Sequence, residues 1–161
     1  MSQINKTYLS LLIDVVNKKE NLLDQLILDT IKQSYCFSDT DFNDEKYDEI
    51  YQKKEALIKE IETLDEGFES LYQRVREEMS TNRYEYEQEI KKLQSKIRTI
   101  TDRIVRLQKL EADNKVKFDV FLRNKRKQIK DYSVNKRTAA AYYKNMMSQY
   151  TNESYLYDRT K

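Results

Sequence analysis

YDEIYQKKEALIKEIETLDEGFESLYQRV, residues Tyr47–Val75, decides the fold. Within it Tyr47, Ile50, Lys54, Leu57, Ile61, Leu64, Phe68, Leu71 and Val75 follow one another in steps of 3 and 4 without a slip. Eight of these nine positions are apolar and Lys54 is the polar member. An unbroken 3–4 repeat keeps one stripe turned toward a neighbouring helix, which is the seam of a left-handed coiled coil. Gly67 lies beside that seam, at a cost of about 1 kcal/mol relative to alanine, and is read as permitting close approach of a neighbour or a slight bend.

Upstream, the spacing predicts a helix over about 6–36. Tyr8, Leu12, Val15, Leu22 and Leu26 form one row, and Leu9, Leu11, Val16, Leu23, Ile27 and Ile31 form a second beside it. The stripe is therefore wider than a two-stranded seam and can touch two neighbours. SDTDFNDE (residues 38–45) follows, where Ser38, Asp41 or Asn43 can each cap the next helix, expected over 44–79. Near Met79–Arg83 the period breaks, and Ser80, Thr81 and Asn82 are weak helix formers suited to a turn.

Downstream, a third helix is expected over 83–132. Its seam runs through Tyr86, Ile90, Leu93, Ile97, Ile100, Ile104, Leu107, Glu111, Asn114, Phe118 and Phe121. Such a helix is roughly 75 Å long at about 1.5 Å per residue. Glu111 and Asn114 interrupt the apolar run in succession. Either they set register, as polar core residues do, or they mark where the core ends because a partner helix has stopped; both readings are favoured over a functional polar site.

With a turn near Asn82, residue i of the second helix faces about 164 − i of the third. Segment 39–66, with eleven acids against four lysines (net −7), then lies opposite segment 98–125, with eight bases against four acids (net +4). Opposite charges set side by side favour a hairpin in which helices two and three pair directly. Each exposed pair contributes little, typically under ~1 kcal/mol. The expectation is an all-α, elongated antiparallel three-helix coiled-coil bundle over 1–132, followed by a Tyr/Met-rich tail over 133–161.

Composition agrees. There is no proline and one glycine among 161 residues, so tight turns are few. Charged residues are 36% and apolar residues 39%, as expected of helices that each bury one stripe. Net charge is +2, too small for a general attraction to nucleic acid or membrane. Histidine is absent, which removes the commonest general base and metal ligand. One glycine cannot build a phosphate-cradling loop. A single cysteine, Cys36, offers neither a disulfide nor a zinc pattern. No enzyme activity, metal or cofactor is expected, nor a small-molecule substrate. No run reaches the ~18 apolar residues of a membrane span, and the N-terminus lacks the form of a signal peptide. A cytoplasmic location follows as an expectation.

After Phe121 the character changes. FLRNKRKQIKDYSVNKR (residues 121–137) holds seven bases and one acid, and six of the chain's thirteen tyrosines fall in the last thirty residues. Ala139, Tyr142, Tyr143, Met146 and Tyr150 can share a helical face. Three readings are open for this tail. It can fold back as an amphipathic helix, or order on a protein partner, since Tyr gives rigid amphipathic area and Met adapts. It can also act as a basic arm for nucleic acid or membrane, with aromatics to stack on bases. The candidate partner-binding residues are Phe118, Phe121 and Leu122 near the end of helix three, expected to be exposed, together with Tyr142, Tyr143, Met146, Met147 and Tyr150.

Three segments carry a resemblance. LSLLIDVVNKKENLLDQL (Leu9–Leu26), an acidic connection and QKKEALIKEIETL (Gln52–Leu64) resemble the first two helices of flagellar export chaperones of the FlgN type, in the variants of clostridia-like bacteria. AAAYYKNM (Ala139–Met146) and the closing YLYDRTK are similar to the end of those variants. The resemblance implies a cytosolic chaperone, expected as a monomer or weak homodimer, that binds terminal helices of hook-associated proteins and prevents their premature assembly. A structural coiled-coil tether without a client is the alternative. A nucleic-acid-binding protein acting through residues 121–137 ranks behind both.

Overall fold

A computed structural model describes residues 2–38, 41–132 and 144–145. Helix α1 spans Ser2–Cys36, α2 spans Asp44–Thr81 and α3 spans Glu87–Tyr132. The fold is an all-α three-helix bundle. Helix α1 begins earlier than its apolar pattern indicates, and α3 begins later, after a turn over 82–86. Asn43 is the cap that starts α2: its side chain accepts a hydrogen bond from the Lys46 amide, and Asp44 and Glu45 follow in the first turn. At the other end the Asn82 amide donates to the Glu78 carbonyl and closes the helix.

The wide stripe of α1 does what its width implies. Leu9, Leu12, Ile13, Val16, Leu23, Leu26 and Ile27 are all buried, and α1 packs closely along both α2 and α3. It runs antiparallel to α2, with Lys19 on Asp65 and Tyr8 near Arg74, and parallel to α3, with Asp24 on Arg103 and Thr30 on Asn114. The apolar core joins these α1 residues to Ile58, Ile61 and Val75 of α2 and to Tyr86, Leu93, Ile100 and Leu107 around α3.

The direct pairing of α2 with α3 along their charged flanks requires correction. Their register is the one the turn imposes, since Lys54 meets Glu111 and Glu78 meets Tyr86. But α1 is the helix each of them packs on. Charge pairs consequently run through α1: Lys19 Nζ lies 2.7 Å from Asp65, and Glu20 and Asp24 take Lys96 and Arg103 at 3.3 and 2.6 Å. A third stave with both signs on its flanks replaces the direct contact of an acidic helix with a basic one. Seam positions Leu57, Leu64, Phe68 and Leu71 are only half-buried, and Ile97 is exposed. Tyr51 and Ile58, off the seam, turn inward instead.

Gly67 permits no close approach. A β-carbon there meets nothing within 4 Å.

Candidate protein-interaction site

The polar seam residues that interrupt α2 and α3 come together. Lys54 is fully buried, and its Nζ donates to Gln33 Oε1 at 2.7 Å and to Glu111 Oε2 at 3.3 Å. Asn114, also buried, donates through Nδ2 to the Thr30 carbonyl at 3.0 Å. Thr30 Oγ1 in turn donates to the Leu26 carbonyl at 2.7 Å. One layer thus ties all three helices at one level. Burying an ammonium group without hydrogen-bonded counterparts is very costly, so a slip of any helix by one turn is strongly disfavoured. Of the readings of Glu111 and Asn114, register is the one these bonds favour. The core does not end there, because α1 and α2 both continue past the layer.

Beyond the layer the core is aromatic. Phe37 and Phe42, from the connection between α1 and α2, close over the end of the bundle. Phe37 lies 5.9 Å from Phe118, 5.8 Å from Phe121 and 5.7 Å from Tyr47, centroid to centroid. Phe42 lies 4.4 Å from Phe121 and 5.6 Å from Tyr47. Cys36, Ile50 and Leu122 complete this cluster. Spacings of this kind are favourable tilted and edge-to-face contacts, about 0.5–1.5 kcal/mol each beyond area burial.

The expected exposure of Phe118 and Leu122 therefore does not hold. Their relative exposures are 2% and 6%, because Phe37 folds down over them. Phe121 alone of the three is half-exposed, with Lys125 Nζ 5.7 Å from its ring centroid. Tyr142, Tyr143, Met146, Met147 and Tyr150 lie outside the described residues.

What remains open at this end is a groove of about 440 Å³ between the Phe37–Phe42 connection and one face of α3. Phe37, Phe42 and Phe121 line it together with Val116 and Val120, which are 64% and 44% exposed. Lys117 and Lys125 stand on its rim, Lys117 donating to Ser34 Oγ. The sequence carried signals for these residues. Two phenylalanines stand in an otherwise polar connection, and Val116 and Val120, at i and i+4, fall off the seam on their own face of α3. A larger furrow, about 680 Å³, runs between α1 and α2 beside Leu28, Lys53, Leu57 and Glu60. It mixes both charge signs and lacks the aromatic wall.

Helix α3 outruns its neighbours. Since Ser34 of α1 meets Lys117, and α2 starts opposite residues near 121, no described helix flanks α3 beyond about Leu122. Its last ten residues extend roughly 15 Å past the bundle at about 1.5 Å per residue. Arg123, Arg126, Lys127 and Lys130 are exposed there.

Among the described residues no helix is long and apolar enough to cross a membrane, and no group of three or more acidic or cysteine side chains is placed to hold a metal ion. Comparison of the chain with protein-family models, with curated proteins and with solved structures finds no match.

Proposed function

We propose that this chain is a helix-binding protein, and that its client is taken up at the aromatic end of the bundle in the manner of a flagellar export chaperone. The observation that carries the reading is the open groove walled by Phe37, Phe42, Phe121, Val116 and Val120. A helix presents anchors at i, i+3/i+4 and i+7 to such a groove. The overhanging end of α3 extends the surface on which it can lie. Exposed apolar side chains beside a solvated helix end are what a transient partner site requires, since a permanent interface would bury far more area. The resemblance of Leu9–Leu26 and Gln52–Leu64 to FlgN-type chaperones supplies the class of client: a terminal helix of a hook-associated protein, held unassembled before export from the cytoplasm.

The test is co-elution of the full chain with the terminal helical segment of a hook-associated protein, followed by light scattering. A one-to-one complex that slows assembly of the client supports the proposal. Self-association of the chain with no complex would instead favour a structural tether.

A further inference from the structure

The groove's surroundings say which helices it takes. From Lys115 to Lys130 the chain holds Lys115, Lys117, Arg123, Lys125, Arg126, Lys127 and Lys130 against one acid, Asp119, a net charge of +6. Among the residues that line the groove the charged ones are Lys117 and Lys125. At the register of Lys54 and Glu111, α2 starts opposite residues near 121, so Asp44 and Glu45 stand at this end of the bundle but are not among the groove's lining residues. An apolar floor whose charged lining residues are both lysines favours a partner whose flanks are acidic, through both encounter rate and register.

Resting on the helix-binding reading above, we infer that this groove is selective: its partner is an amphipathic helix with apolar anchors and Asp/Glu flanks, seated on Val116, Val120 and Phe121 with its acids against Lys117 and Lys125. The chain's own residues 133–161 are a poor occupant on the same grounds, because they hold five bases against two acids. The acids would also meet the overhang, where Arg123 and Lys127 are exposed.

The probe is a pair of fluorescently labelled peptides of about five turns. Both carry leucine at i, i+4, i+7 and i+11, one flanked by glutamate and the other by lysine. Anisotropy against the full chain at low salt is expected to show at least tenfold tighter binding of the glutamate peptide. The double variant Lys117→Glu with Lys125→Glu is expected to erase or reverse that preference, while Val120→Asp weakens both peptides. Equal binding of the two peptides would overturn the selectivity and leave the helix-binding reading standing. Binding of neither would remove both. Should Tyr142→Ser with Tyr143→Ser and Met146→Ser raise affinity tenfold, the tail is the resident occupant and the inference falls. It falls equally if sedimentation shows a dimer that the lysine variants dissolve.

Discussion

The two cores of this bundle differ in kind. The larger, from Leu9 to Leu107, is aliphatic, and all three helices contribute to it along their length. The smaller is aromatic, built from Cys36, Phe37, Phe42, Tyr47, Ile50, Phe118 and Leu122, of which Phe37 and Phe42 come from a connection rather than a helix. Between them lies the layer of Thr30, Gln33, Lys54, Glu111 and Asn114. Apolar contacts propagate cooperativity by shared packing, and a polar layer breaks that continuity. The aliphatic core holds the three helices together, whereas the aromatic end, where the proposed client would seat, lies beyond the layer.

The layer itself gives the largest expected effect. Lys54→Ala leaves a buried carboxylate beside Gln33 and removes a link between α1, α2 and α3. It should cost about 3–5 kcal/mol, as breaking buried pairs does. The double change Lys54→Leu with Glu111→Leu should recover most of that loss in denaturant unfolding. If the single variant costs no more than an exposed substitution, the layer is not a structural divider.

Next comes the aliphatic core. Leu26→Ala should cost about 2–5 kcal/mol and lower the unfolding midpoint equally by every probe. Phe42→Ala, at the half-buried cover, should cost less, about 1–2 kcal/mol, below the ~3–5 of a fully buried phenylalanine. Its signature is local: hydrogen exchange should quicken at Phe37 and over Val116–Leu122 while Leu23–Ile27 and Ile58–Ile61 stay protected. Uniform acceleration across both cores would show one cooperative unit instead of two regions.

The sequence showed much of this and misled at two steps. Every helix was legible from its apolar spacing, and the double row on α1 announced a helix with two neighbours. What misled was charge. Segments 39–66 and 98–125 complement each other so well that direct pairing looked natural, yet exposed charges contribute too little to decide packing against a broad apolar stripe. The stripe on α1 won and took the central position. Lys54, Glu111 and Asn114 each stood out singly as polar seam residues, and their meeting followed from the turn near Asn82. The exposure of Phe118 and Leu122 was misread because spacing along α3 cannot reveal that Phe37 and Phe42 fold across it. A connection's path depends on tertiary contacts that no periodicity encodes.

Two smaller effects sharpen the picture of the flanks. Gly67→Ala should stabilise the chain by up to about 1 kcal/mol, since α2 gains helix propensity and the new methyl meets open space. A loss of stability there would mean that a neighbour approaches Gly67 closely. Asp24→Ala removes the partner of an ion pair that is half-exposed. Thermal unfolding should register under ~1 kcal/mol, shrinking further as salt is raised.

The most direct test of the central claim is to map a bound helix on the full chain by amide chemical-shift perturbation, using the glutamate-flanked peptide. The account predicts perturbations concentrated at Phe37, Phe42 and Val116–Arg126, with amides around Leu12, Ile61 and Leu93 unmoved. Perturbations centred on the furrow at Leu28, Lys53 and Leu57, or spread through the aliphatic core, would contradict it.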